Sequence, residues 1–360
     1  MQIELPISKS IANRWLILQA IHGDELMPVS DSMPDDVQLL HRALTTLHNP
    51  TQSYTTLHLS NCGTAMRFLT AYAAQLENRV TILDGVERMH HRPIGQLVDA
   101  LREIGADIEY LGEEGFPPLR IKGCILDKHR IVTINNPQST QFVSALLLIG
   151  ANVQTDSTSP YIYITQEVIK QYQLSPFSYH LSVEKDWSSA AFWYEYVALY
   201  GGEITLLGLS HDSLQGDKIV ADIFAHLGIH TTYTAEGITL SPIAYSEASY
   251  SPLSGRPIAA QAASHSKILV QDFGSCPDLY PAVALTCERL GVELHATGVE
   301  SLPLKESDRL RAVREHRTDA DHRMAMALLI AGYEVDDTAC ISKSYPQFIE
   351  QWKSVNTSNE

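Results

Sequence analysis

Six short segments carry residue types that bind or move charge rather than build a core. Ser8-Lys-Ser-Ile-Ala-Asn-Arg14 sets Lys9, Ser10 and Arg14 ahead of a helical run from Trp15 to Ile21. A helix start offers free N–H groups and the positive end of its dipole, which suits an anion. Asn61-Cys-Gly-Thr-Ala-Met-Arg67 follows a strand over Thr56 to Leu59 and opens another helix. Gly63 there lets a ligand come close to the backbone, and Thr64 supplies a hydroxyl. Glu87-Arg-Met-His-His-Arg-Pro93 gathers Arg88, Arg92, His90 and His91 before a helix that starts near Pro93. Adjacent histidines point different ways on most backbones, so the pair is a poor metal seat. Ser139, Thr140 and Gln141 precede an apolar helix from Phe142 to Ile149. Lys305-Glu-Ser-Asp-Arg309 mixes both signs before a helix. Asp321-His-Arg-Met-Ala-Met326 and Lys343 add His322, Arg323 and one more cation.

Each segment alone reads as a solvated helix cap. Together they hold nine of the 26 Lys and Arg, mostly at helix starts beside Gly, Ser or Thr. Their shared chemistry is recognition of phosphate and carboxylate. A GxxxxGK[ST] loop, a GxGxxG turn, an HExxH helix and a GxSxG elbow are all missing, which disfavours an NTPase, a nicotinamide dehydrogenase, a metallopeptidase and a serine hydrolase.

The elements that must position these groups follow one theme: an amphipathic helix, a Gly-containing turn, then an alternating strand. It occurs at Val98 to Tyr110 around Gly105, at Val220 to Tyr233 around Gly228, and at Ala284 to His295 around Gly291. Apolar spacing changes from helical to twofold at each glycine, as in an α/β protein of repeated units. The stretch from Ile243 to Ser266, rich in Ser, Ala and Pro, reads as a loop-rich excursion.

With 360 residues the chain has room for two domains. Hydrophobic residues at 44% and charged residues at 19% are ordinary for a globular protein. The five cysteines are scattered without a CxxC pair, which fits a reducing cytoplasm better than a disulfide framework. No apolar run approaches the roughly 20 residues of a membrane span, and the N-terminus lacks a signal-peptide pattern. The net charge of −16 argues against nucleic acid and anionic membranes as partners, yet leaves small anions open.

In this order and wording, SKSIANR, NCGTAMR, ERMHHRPIGQLVDALREIGA, STQF, KESDRL and DHRMAM closely resemble signatures of the 3-phosphoshikimate 1-carboxyvinyltransferases, the 5-enolpyruvylshikimate-3-phosphate synthases. DSLQGD, Pro277-Asp278 and Lys343 fit as well, and the spelling VEKDWSSAAFWY is similar to the Bacteroidetes branch. The resemblance implies an α/β fold of two similar domains, 9–184 and 1–8 plus 185–360, each of three βαβαββ units. It implies domain closure around shikimate 3-phosphate and phosphoenolpyruvate, no metal or organic cofactor, and a monomer in the cytoplasm that glyphosate inhibits at the phosphoenolpyruvate site. Lys9, Gly63, Arg92, Gln141, Arg309, Arg323 and Lys343 would hold phosphoenolpyruvate. Ser10, Arg14, Ser139, Thr140, Tyr161, Ser301 and Lys305 would hold shikimate 3-phosphate. Lys9, Asp278, Glu306 and His322 form the catalytic set, with Asp278 at the attacking hydroxyl and Glu306 at the methylene carbon.

The chain is shorter than the family pattern between Asp36 and Thr56, Tyr172 and Ser182, and Arg314 and Thr318. Ser301 stands where an Asn is usual, and Thr158-Ser159 where Ser-Lys or Ser-Arg is common. Two rival readings follow. One is an impaired relative that binds ligand without turnover. The other is the enolpyruvyl transferase acting on UDP-N-acetylglucosamine, disfavoured because Glu87 to His91 lacks that enzyme's cysteine.

Overall fold

The computed structural model describes the chain apart from residues 50–52, 177–182, 244–248, 251–256, 259–267 and 358–360. It divides into an N unit (Lys9–Asp31 and Asp35–Val183) and a C unit (Met1–Ser8, Ser32–Pro34 and Glu184–Glu360). The first strand, β1 (Gln2–Glu4), belongs to the C unit.

The N unit opens with two helices and no strand between them, α1 (Lys9–His22) and α2 (Asp35–Leu47). A complete βαβαββ unit follows: β2 (Tyr54–His58), α3 (Gly63–Ala74), β3 (Val80–Asp84), α4 (Gly95–Glu103), β4 (Asp107–Tyr110) and β5 (Leu119–Lys122). Its strand order is β2-β3-β5-β4, with β2 parallel to β3 and the other pairs antiparallel. The next unit has β6 (Ile131–Thr133), α5 (Thr140–Leu148), β7 (Asn152–Gln154) and α6 (Pro160–Leu174), and its sheet is one parallel pair.

The C unit repeats this plan. β1 joins α7 (Trp187–Tyr200), β8 (Ile204–Leu207), α8 (Val220–His226), β9 (Ile229–Tyr233) and β10 (Gly237–Pro242) in the order β1-β8-β10-β9. Two short strands, β11 (Ser249–Tyr250) and β12 (Pro257–Ile258), pair antiparallel. The parallel pair of β13 (Ile268–Asp272) and β14 (Glu293–Thr297) encloses α9 (Tyr280–Leu290). Three helices finish the chain: α10 (Arg309–Glu315), α11 (His322–Ile330) and α12 (Phe348–Thr357).

Each half therefore carries one complete βαβαββ unit and one that stops at its parallel strands, and the remaining regular structure among the described residues is helical apart from the short β11–β12 pair. The family pattern implied three full units per half. The loop-rich reading of Ile243 to Ser266 falls mostly outside the described residues.

Helices fill the core, because several are apolar nearly all round. Every residue of α7 from Trp187 to Leu199 is buried, as is α1 from Ile11 to Ala20. The strands alternate instead: β2 buries Thr55 and Leu57 and exposes Tyr54, Thr56 and His58, so one sheet face meets solvent. At the three helix-to-strand joints Gly105, Gly228 and Gly291 have φ of +100°, +86° and +69°, a region closed to most side chains. The segments ending at Ser8 and starting at Glu184 run side by side within the C unit. Ile7 bridges Lys185 antiparallel, and Ser8 N–H donates to the Glu184 carbonyl at 2.8 Å. No helix among the described residues is long and apolar enough to cross a membrane.

Candidate active site

Several functional side chains sit in first helical turns behind a capping residue. The Ser139 hydroxyl accepts from Gln141 N–H and starts α5. Ser159 caps α6 ahead of Pro160 and Tyr161. Asp308 and Asp321 cap α10 and α11, which puts Arg309 at one start and His322 and Arg323 at the other.

In the N unit these starts build two linked clusters. Arg14 is buried, and its guanidinium donates to Thr165 Oγ1 at 2.7 Å, the Ser10 carbonyl at 2.6 Å, Ser144 Oγ at 3.1 Å and the Tyr161 carbonyl at 3.0 Å. It also lies 5.4 Å from the centre of the Phe68 ring. All these partners are neutral. Burial lowers the Arg14 pKa to about 10, with the nearby Tyr161 opposing the shift. Lys9 is paired to Asp36 at 3.1 Å.

The second cluster surrounds Gly63. Arg92 Nη1 donates to the Asn61 carbonyl at 3.1 Å, and Arg67 Nη2 to the Pro93 carbonyl at 2.9 Å. A methyl group at Gly63 would lie 2.5 Å from Arg92 Nη2 and 2.8 Å from Arg67 Nη1, so the glycine is what lets two guanidinium groups approach this backbone. Gln141 Nε2 reaches Thr64 Oγ1 at 2.9 Å, and α5 thereby joins both clusters through Gln141 and Ser144. His90 and His91 go to different acids, Asp84 at 2.7 Å and Glu87 at 3.2 Å.

The C unit gathers its charged residues into one ion network. Arg309, 1% exposed, binds Asp321 Oδ2 at 2.8 Å, Asp278 Oδ1 at 2.8 Å and Glu306 Oε2 at 3.2 Å. Arg323 Nη2 binds Asp278 Oδ2 at 2.9 Å. Lys305 lies 3.6 Å from Asp278, and Lys343 lies 3.6 Å from Glu306. Four cations thus meet three carboxylates. Burial alone would raise the Asp278 pKa, but Arg323, Lys305 and Arg309 outweigh it and hold the group well below the usual carboxylate range. Burial would likewise lower the Arg309 pKa, but Asp321, Asp278 and Glu306 raise it further still. The buried His322 ring has Nδ1 3.8 Å from Asp321 Oδ1. Ser301 stands apart from this network: its carbonyl accepts from Leu304 N–H at 3.2 Å, and no described side chain bonds its hydroxyl.

A family model described as EPSP synthase (3-phosphoshikimate 1-carboxyvinyltransferase) matches residues 1–316 and 313–352. The chain belongs to this family. It is 35% identical to the 3-phosphoshikimate 1-carboxyvinyltransferase of Bacteroides fragilis, over 96% of this chain and 93% of that protein. It is 29% identical to the same enzyme of Colwellia psychrerythraea, over 99% and 96%. The Bacteroides match runs over 407 residues, more than the 360 of this chain, so that relative carries segments absent here. The fold agrees with EPSP synthase from Acinetobacter baumannii at a TM-score of 0.65 and 17% identity, covering 98% of this chain and 95% of that one.

Five residues of these clusters had no role assigned from sequence: Asp36, Arg67, Ser144, Thr165 and Asp321. Arg67 and Asp321 lay inside recognised segments, and Asp321 carried a readable signal as the cap of a helix opening with His-Arg. Asp36, Ser144 and Thr165 matter through partners 27, 130 and 151 residues away, which spacing cannot reveal.

Proposed function

We propose that the chain transfers the enolpyruvyl group of phosphoenolpyruvate to the 5-hydroxyl of shikimate 3-phosphate and releases inorganic phosphate. The observation that carries this reading, beside family membership, is the C-unit network. It holds two distinct carboxylates that share Arg309, Asp278 among three cations and Glu306 against Arg309 and Lys343. Addition of an alcohol across the double bond of an enol phosphate needs two proton movements at different atoms, and separate carboxylates supply them.

In the first step the 5-oxygen bonds to C2 of phosphoenolpyruvate, its proton passes to Asp278, and Glu306 gives a proton to the methylene carbon. In the second the C2–O bond to phosphate breaks. Glu306 recovers a proton from the methyl group, and the proton held by Asp278 leaves with the phosphate. Asp278 starts strongly ionised, which suits it to orient the hydroxyl. It becomes a better base as substrate anions compete for Arg309, Arg323 and Lys305. Lys9, Gly63, Arg92, Gln141, Arg309, Arg323 and Lys343 serve phosphoenolpyruvate in this reading. Ser10, Arg14, Ser139, Thr140, Tyr161, Ser301 and Lys305 serve shikimate 3-phosphate, and the buried His322 steadies Asp321.

Arg14 supports the second assignment, since a buried guanidinium with only neutral partners is stabilised when an anion arrives. Phosphate release measured with both substrates, with each alone, and with EDTA present tests the reading. Release should need both substrates and tolerate the chelator. No release at high enzyme concentration would overturn it in favour of a binding-only relative.

A further inference from the structure

We propose that Asp217 is a positioning residue for Asp278, setting through its own negative charge how readily Asp278 takes the proton of the attacking hydroxyl. The inference rests on the reading of Asp278 given above. Asp217 lies in the 3-10 turn Gly216–Ile219 and is 4% exposed. Its Oδ2 accepts the Ser188 hydroxyl, and its Oδ1 is buried without a bond from any described residue. The groups acting on it electrostatically are the carboxylates of Asp278 and Asp186 and the guanidinium of Arg323. Arg323 is the same cation that binds Asp278 at 2.9 Å. Cys276, two residues before Asp278, is a buried thiol that also feels both carboxylates.

A buried acid and a partly buried one therefore share one neighbourhood on unequal terms. Asp278 has three cations and stays ionised. Asp217 has a weaker hold on Arg323 and one hydroxyl, so burial first and Asp278 second push its pKa up to about 7. Near neutrality Asp217 takes up or releases a proton while Asp278 remains charged. An ionised Asp217 adds a like charge beside Asp278 and raises its basicity, and a protonated Asp217 removes that push. Turnover should then climb as pH rises through the Asp217 titration.

The test is kcat for phosphate release between pH 5.5 and 8.5 in wild type, Asp217→Asn and Ser188→Ala. Wild type should show a rising limb centred near pH 7. Asp217→Asn, of the same shape and permanently neutral, should lose the limb and vary by no more than about two-fold, with both KM values within a few-fold. Ser188→Ala removes the bond that favours the ionised form, so its limb should move to higher pH. A limb unchanged in both variants would overturn the role.

Folding stability read by denaturant without substrates gives an independent measure. Between about pH 4 and 7 the folded chain would keep the Asp217 proton and the unfolded chain would not. Rising pH therefore destabilises wild type relative to Asp217→Asn across that window, by up to roughly tenfold per pH unit in the folded-to-unfolded ratio, and no further above it. A flat difference would mean that Asp217 does not titrate, and the proposal would fall. A wild type with this titration but no phosphate release would overturn the functional reading instead.

Discussion

Arg14 and Arg309 are both buried, yet their surroundings differ in kind. Arg14 donates only to hydroxyls and carbonyls, whereas Arg309 is held by the carboxylates of Asp278, Glu306 and Asp321. A buried cation among neutral groups costs the fold its hydration and is compensated only in part. A buried cation among acids is tied to the fold, because removing it strands their charges. The N-unit arginine thus has no acid to hold it, whereas an anion that reached the C-unit arginine would compete with three.

Arg309→Ala should be the most damaging change, since three acids would lose their common partner. A loss of about 3–5 kcal/mol is the usual result of breaking a buried charge network, with activity lost as well. Urea unfolding monitored by circular dichroism measures it. A change under about 1 kcal/mol would show that Asp278, Glu306 and Asp321 find other partners, and the contrast with Arg14 would collapse.

Glu306→Gln should leave the fold alone and strike chemistry. Its side chain meets Arg309 at 3.2 Å and Lys343 at 3.6 Å, and Arg309 keeps Asp278 and Asp321 in the amide variant. We expect kcat to fall by about 10²–10⁴ while the KM for phosphoenolpyruvate stays within a few-fold, the pattern for losing a general acid/base. Turnover near the wild-type rate would remove Glu306 from proton transfer.

Arg14→Met tests the other half. Methionine fills similar volume without the charge, so stability should fall by about 1–2 kcal/mol at most, less than for Arg309→Ala. The KM for shikimate 3-phosphate should rise by about 100-fold, as expected when a charged donor to an anion is removed. A large stability loss with an unchanged KM would make Arg14 a structural clamp like Arg309.

Local order was readable from sequence where local physics decides it. The glycines at 105, 228 and 291 sit at left-handed helix ends, and Ser139 caps its helix, because backbone sterics and capping act within a few residues. Unit completeness was harder to read. A strand needs partners from distant segments, and the shortened stretches conceal which pairs survive. β6 and β7 pair only with each other among the described residues. The ion network was half legible. Its members were named from motifs, but three acids converging on one guanidinium is a tertiary fact. Asp217 closes the recognised segment DSLQGD, but its role stayed hidden because burial near Asp278 is a tertiary fact that no local pattern signals.

Gly63→Ala has the smallest expected effect and tests the Arg-rich loop at the scale of one methyl. Gly63 opens α3 without a left-handed φ, so alanine meets no backbone strain there, and its better helix propensity favours the fold by up to about 1 kcal/mol. The steric cost falls on Arg92, whose Nη2 and Cζ would lie 2.5 Å and 2.8 Å from the new Cβ. A guanidinium can swing away more cheaply than backbone can, so the melting temperature should stay within a few degrees. The ligand seat should move instead. If Arg92 grips phosphoenolpyruvate, the KM for that substrate should rise by a few-fold. The inhibition constant of the longer ligand glyphosate, competitive in wild type, should rise by about tenfold or more, about 1.4 kcal/mol. Melting and inhibition measured on one preparation separate the outcomes. A lowered melting temperature with an unchanged inhibition constant would mean that the glycine serves the turn alone, and that the guanidinium pair around it is no part of the phosphoenolpyruvate seat.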